Sequence, residues 1–494
     1  MPKTPLKILF LAAEARPFIS AGGLGEVAAS LPQALRRLPE PAPDVRLAIP
    51  FHGRISRSAH NWRPVTTFEI ERQGEKVGVQ AYETRLEGLP VYAIAGAPIP
   101  DAPDAALYEN DAALDSEKFT FFSLATLELA RRLNWRPDIV HANDWHTAPA
   151  IYALALRRGQ DAFYAQTATL LGLHNLPYLG KGAGPGMNAY GLPAAPADSP
   201  LPWWARNMPL PLGLLSADHI VAVSPGYAQE ILTPAFGAGL HDFLNTRAAD
   251  ISGILNGLDT DLWNPASDQA LPVTYDANSL HLRRKNKLAL QEMLGLPRDP
   301  HLPLLIMVTR LDNQKGVDMA LEALRKIQTM PWQAVLLGSG QADLEAAARQ
   351  LQTDLPDKVR ALIAYDKALS RKLFGSADIL LMPSRYEPCG LTQMIAMRYG
   401  CIPVARATGG LRDTIRDYLQ WPDSTGFLFY STDSAALAGA IRRALAIYVQ
   451  PHQWQALQQR GMQTDFSWER SAAQYLQLYQ RLCRNRHGRH LRTI

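Results

Sequence analysis

The sequence predicts an α/β protein built from two doubly wound parallel sheets, and three observations carry that reading. Short, continuous apolar runs alternate with segments of helical periodicity, as in β-α-β units whose strands are buried on both faces. At 494 residues the chain is too long for a single core. The alternation also breaks at a polar stretch, residues 264–277, and then restarts.

In the first half, residues 7–13 form an opening strand, which leads through Ala21-Gly22-Gly23-Leu24-Gly25 into a helix over 26–38. Strand, glycine loop and helix in that order make a phosphate-cradle layout. Residues 45–49 give a second strand, and the alternating segments 65–70 and 77–84 give a hairpin. A helix over 116–132 precedes a buried strand at 138–142, whose carboxyl end carries His141, Asn143, Asp144, Trp145 and His146. The strand at 168–173 ends in His174 and Asn175. Open α/β sheets bind ligands beyond the carboxyl ends of their strands, so these clusters are candidate site residues. Residues 178–211, rich in Gly, Pro and Ala around Trp203 and Trp204, read as a structureless insertion, mobile or ligand-facing. Strands at 219–223 and 251–255 follow, then Asn256-Gly257-Leu258-Asp259-Thr260-Asp261.

The stretch 264–277 reads as an interdomain linker. Beyond it, strands at 304–309, 334–337, 360–364, 379–382 and 402–405 are each followed by a helical segment. Residues 380–393, LLMPSRYEPCGLTQ, are the anchor of this half: a buried strand, a loop bounded by Pro383 and Pro388 that carries Glu387, and a helix from Leu391 after Gly390. That helix start aims free N–H groups at an anion. Arg310 and Lys315, which follow the strand from residue 304, are placed to neutralise a diphosphate as it leaves a sugar. A last helix over 468–482 suits either domain.

Bulk properties narrow the function classes. An apolar fraction of 47% with 19% charged residues is ordinary for a globular protein. The formal charge is +4, and the five arginines after Gln480 (Arg481, Arg484, Arg486, Arg489 and Arg492) leave −1 for the rest. No basic face interleaved with aromatics marks a nucleic-acid protein, and the tail reads as a solvated, frayed terminus. Cys389, Cys401 and Cys483 form no CxxC pair, which points to a reducing compartment, the cytoplasm by default, and to no structural zinc. No apolar run is long enough to span a bilayer, and the N-terminal run is too short for a signal peptide.

Seven blocks, in order and at similar spacing, resemble the bacterial glycogen synthase and plant starch synthase family. They are Ala21-Gly22-Gly23-Leu24-Gly25, the run from His141 to His146, His174-Asn175-Leu176, Leu255-Asn256-Gly257-Leu258-Asp259, Thr309-Arg310-Leu311 with Gln314-Lys315-Gly316, the run from Pro383 to Thr392, and Thr408-Gly409-Gly410-Leu411. The resemblance implies a GT-B fold, two Rossmann-like domains facing across a cleft, at 1–265 and 266–465, with a helix and basic tail at 466–494 crossing back to the first. It implies transfer of glucose from a nucleotide sugar, ADP-glucose as a rule, to the non-reducing 4-hydroxyl of an α-1,4-glucan with retention, and no cofactor. Carried over by position, Arg310 and Lys315 would bind the distal phosphate. Glu387 with Cys389, Gly390, Leu391 and Thr392 would hold the donor glucose, and Gly22 and Gly23 would also line the donor. His174 would sit beside the donor sugar, Asp144 on the acceptor side, Asn256 would shape the cleft, and Tyr365 would stack on the base.

Asp259-Thr260-Asp261 spells the DxD of metal-dependent transferases, but it lies inside the Asn256-Gly257 block and is read as a decoy. The sequence departs from the family at four places: Ser20 and Pro211 stand where lysines are usual, Asn143 where a histidine is, and Ala364 where a glycine is. Two alternatives therefore stay open, a transferase of altered donor or acceptor such as UDP-glucose or a small sugar, and a weakly active glucan-binding relative. Oligomeric state is not legible in the sequence.

Overall fold

A computed structural model describes residues 5–109 and 111–490. The chain divides into two compact units. The first takes residues 5–223, Ala228–Gly257 and residues 468–490, and the second takes Ser224–Tyr227 and Leu258–Ser467.

The first unit is a nine-stranded sheet of β1 (Lys7–Leu11), β2 (Asp44–Pro50), β3 (Arg63–Arg72), β4 (Glu75–Leu86), β5 (Leu89–Ala95), β6 (Ile139–Asn143), β7 (Ala168–Leu173), β8 (His219–Ala222) and β9 (Ile251–Gly253). Its spatial order is β3-β4-β5-β2-β1-β6-β7-β8-β9, parallel except for the β3-β4-β5 meander. Chain order reverses between β1 and β6, the place where an open sheet leaves a crevice at its carboxyl edge. The helix Trp468–His490 presents Trp468, Ala472, Tyr475, Tyr479 and Leu482 at three- and four-residue spacing, and these join the same core as Ile8, Phe10, Val45 and Leu47.

The second unit is a six-stranded parallel sheet of β10 (Leu304–Val308), β11 (Gln333–Leu337), β12 (Val359–Leu362), β13 (Ile379–Met382), β14 (Ile402–Arg406) and β15 (Phe427–Phe429), in the order β12-β11-β10-β13-β14-β15. Its strands are mostly apolar, Ile-Leu-Leu-Met in β13 without exception, as expected of a parallel sheet buried on both faces. Here the reversal falls between β10 and β13.

Three expectations need correction. Residues 178–211 are not structureless: they hold the helix Gly184–Ala189 and the start of Pro209–Ser216, and Met187, Tyr190, Leu192, Leu201, Ala205 and Leu210 are buried. Glycine permits this packing, since a Cβ on Gly186 would lie 2.8 Å from the Ser116 Cβ. Residues 264–277 are not a loose linker either. Asp268 is buried and accepts a 2.5 Å bond from the Tyr399 hydroxyl, and Tyr275 donates to the Tyr399 carbonyl at 2.8 Å. In the tail, Arg481 and Arg484 are exposed as expected, but the Arg486 guanidinium is half-buried, 3.6 Å from Asp218, while Arg492 and the Arg489 side chain lie outside the described residues. Among the described residues no helix is long and apolar enough to cross a membrane.

Candidate active site

In the first unit the chain leaves β1 through Glu14, whose side chain is buried. Its carboxylate accepts backbone N–H groups from Ala21, Gly22 (3.3 Å) and Gly25 (3.2 Å). The inner amides of the predicted phosphate cradle are thus already bound to a carboxylate of the chain itself. This capping explains why the helix begins at Gly23 and runs to Arg36, three residues earlier than the pattern suggested. Gly22, Gly23 and Ser20 are exposed, and Ser20 donates to the Gly22 carbonyl at 3.2 Å. Burial pushes the Glu14 carboxyl above its ordinary range, and the three amides and Arg16 pull it back.

At the neighbouring strand end Asp144 opens the helix Asp144–Arg157 with φ of +54°, and its buried carboxylate accepts the backbone N–H of His174 at 2.7 Å and of Asn175 at 3.4 Å. The His174 backbone N–H is therefore occupied. Asn143 donates its amide to the Leu11 carbonyl at 2.8 Å, which turns its Oδ1 toward His174 Nε2 at 2.9 Å. Only a protonated Nε2 completes that bond, and burial lowers the His174 pKa, so the neutral ring presents a bare Nδ1. His141 and His146 are driven down to about 3 by burial, and His141 Nδ1 lies 2.8 Å from the Tyr479 hydroxyl. Asn256 is buried past β9, and its Oδ1 has no hydrogen-bond partner among the described residues. Pro211, at a usual lysine position, is buried within the helix Pro209–Ser216.

In the second unit the loops after β10 and β13, at the strand-order reversal, are tied together. Lys315 Nζ lies 2.6 Å from Glu387 Oε2, which also accepts the Ser384 hydroxyl at 3.0 Å. The Arg385 N–H meets the Gln314 carbonyl at 2.7 Å, and the Arg385 guanidinium forks onto Asp318 at 2.7 and 2.8 Å. Asp312 caps the turn by accepting the Lys315 N–H at 2.9 Å. Gly316 is obligatory: its φ is +67°, and a Cβ would stand 2.1 Å from the Pro383 carbonyl oxygen. Gly410 is equally constrained, because a Cβ there would meet the Cys389 carbonyl oxygen at 2.1 Å. Cys389 is buried, Gly390 has φ of +72°, and Leu391 precedes the helix Thr392–Arg398. Gln393 fastens that helix start by donating to the carbonyls of Cys389 (3.0 Å) and Gly390 (2.9 Å).

Arg310 stands apart from this packing. Its side chain is 64% exposed and 3.2 Å from Asp312. Tyr365 is 77% exposed beyond β12. Asp259, in the DxD string, accepts the N–H groups of Asp261 and Leu262 at 3.1 and 2.9 Å and so serves a turn. Sequence reasoning missed Glu14, Ser384 and the part of Asn143 in fixing the His174 ring. An acid just past an apolar strand and just before a glycine loop was the available signal for Glu14.

Known proteins resemble the chain over almost its whole length. A family model for the starch synthase catalytic domain matches residues 7–246, and one for glycosyl transferases group 1 matches residues 295–459. Glycogen synthase 2 of Geobacter sulfurreducens is 37% identical over 98% of this chain and 100% of its own length. The glycogen synthase of Cellvibrio japonicus is 40% identical over 96% and 99%. The solved catalytic domain of starch synthase IV from Arabidopsis thaliana, bound to ADP and acarbose, matches with a TM-score of 0.86 at 33% identity, over 97% of this chain and 100% of that one.

Proposed function

The chain belongs to the starch and glycogen synthase family, hexosyltransferases of the GT-B fold, and from that premise we propose that it transfers glucose from ADP-glucose to the non-reducing 4-hydroxyl of an α-1,4-glucan, with retention. The observation that carries the reading is the Lys315–Glu387 pair at the strand-order reversal of the second sheet. An ammonium has three donors, so Lys315 can keep Glu387 and still offer two to a phosphate oxygen. In this reading Arg310 adds the second cation, and its exposure leaves it free to swing onto the same phosphate. Glu387, with the backbone of Cys389, Gly390, Leu391 and Thr392, holds the donor glucose, and Tyr365 stacks on the base. Gly22 and Gly23 also line the donor, Asp144 and neutral His174 serve the sugars, and Asn256 shapes the site.

The chemistry is a front-side displacement. The glycosidic bond to the diphosphate breaks as the acceptor hydroxyl approaches from the same face, and the departing phosphate oxygen takes its proton. Catalysis then consists of holding the reactants and stabilising the leaving charge. The cytoplasm, with its reducing conditions, suits three buried cysteines that form no disulfide.

The test is radiolabelled glucose incorporation into glycogen from ADP-glucose and from UDP-glucose. We expect incorporation from ADP-glucose that falls by at least about a hundredfold in Lys315→Ala. A clear preference for UDP-glucose would reassign the donor, and no incorporation from either would remove the synthase reading.

A further inference from the structure

We propose that Glu14 is a positioning residue for transfer, an anion built into the chain that fixes the glycine loop in the place of an external one. This rests on the reading above, in which Gly22 and Gly23 line the donor. The buried Glu14 carboxylate gathers the amides of Ala21, Gly22 and Gly25, a nest of N–H groups at a helix start of the kind that elsewhere collects a phosphate. The helix concerned, Gly23–Arg36, is 14 residues long and has no cap from its own N-cap residue, Gly22. Glu14 supplies the cap from the preceding loop, and its negative charge complements the helix dipole.

The surrounding loop is built to keep this arrangement. The Arg16 N–H donates to the Gly25 carbonyl at 3.0 Å, the Ile19 N–H to the Ala15 carbonyl at 3.0 Å, and Arg16 is ion-paired with Glu26. A Cβ on Gly25 would stand 2.7 Å from the Ser20 Cβ, so the chain closes tightly around the carboxylate. With the inner amides satisfied, the exposed backbone of Gly22 and Gly23 is held in one shape and offers no nest for phosphate. The glycine loop therefore acts by shape, and donor charge is left to the cations of the second unit.

The experiment uses the full-length enzyme with Glu14→Gln, which keeps an acceptor but no charge, and Glu14→Ala, which empties the nest. Donor kcat/KM is expected to fall about tenfold in Glu14→Gln, the worth of a charge-assisted bond, with the KM for glycogen and the Kd for ADP within about twofold. Glu14→Ala is expected to lose more, and formate, a carboxylate small enough for the vacated space, restores part of it where chloride at equal ionic strength does not. Amide hydrogen exchange over residues 21–25 should follow the same series. Wild-type donor kcat/KM in Glu14→Gln overturns the inference, as does a loss shared equally by glycogen KM and ADP affinity. Should the unmutated enzyme transfer no glucose while amide protection still falls in Glu14→Gln and returns with formate in Glu14→Ala, the proposed function fails and the built-in anion stands.

Discussion

At the strand-order reversal of the N-terminal unit the loops are held by two buried carboxylates, Glu14 and Asp144, each turned onto backbone amides, and the histidines around them are neutral. At the same topological place in the C-terminal unit the loops are held by a lysine against a glutamate, with an exposed arginine close by in sequence. One unit spends its charges internally on backbone geometry, while the other keeps cationic donors available. The difference teaches that a shared sheet topology places loops without fixing their electrostatics, and on the proposed function the anionic diphosphate falls to the second unit.

The sharpest way to break this contrast is Lys315→Ala. Beyond the loss of transfer, it strands the buried Glu387, and we expect about 1–3 kcal/mol of destabilisation by denaturant melting. Unchanged stability would mean that the pair does not hold the loops. Gly316→Ala comes next: with φ of +67° and the Pro383 carbonyl in the way, it should cost about 1–3 kcal/mol. A Tm equal to wild type would contradict the close approach of the two loops.

Acid sharpens the comparison from the other side. Burial lowers the pKa of His141 and His146 to about 3, that of His219 to about 4, and those of His52 and His174 as well, all from 6.5 and all in the N-terminal unit. Below pH 6.5 the unfolded chain takes up protons that the folded unit refuses. The stability these groups lend is thus present above 6.5 and lost as pH falls toward 3–4, by up to about 1.4 kcal/mol per pH unit for each. Glu14 and Asp144, whose carboxyls burial raises, act in the opposite sense but are fewer. Hydrogen exchange at pH 7 and pH 5 should show β6, β7 and β8 losing protection ahead of β10 and β13, and equal loss would refute the asymmetry. The smallest effect belongs to Arg310→Ala, which should move Tm by less than about 0.5 kcal/mol's worth because the side chain is exposed. A larger shift would show Arg310 to be part of the packing.

Much of this was legible in the sequence where one signal dominated. The strand at 379–382 was read to the residue because four apolar side chains are stopped by Pro383. Lys315 and Glu387 were each singled out, although nothing along the chain said that they would meet at 2.6 Å. Residues 178–211 misled because Gly and Pro signal loops locally, whereas here they allow close packing of buried Met187, Tyr190 and Leu201. Asp268 made a buried anchor look like part of a polar linker, since its partners Tyr399 and Arg371 lie more than a hundred residues away. Glu14 was passed over for a related reason: the acid between strand and glycine loop was in view, but its partners are backbone amides, which sequence does not display.

On the proposed function, the diphosphate is held by the C-terminal cations and not by the N-terminal loops. Calorimetric titration of ADP into wild type, Lys315→Ala and Asp144→Asn tests it most directly. The Kd is expected to rise by at least about tenfold in Lys315→Ala and to change by less than about twofold in Asp144→Asn. Equal weakening in both variants, or weakening in Asp144→Asn alone, would contradict it.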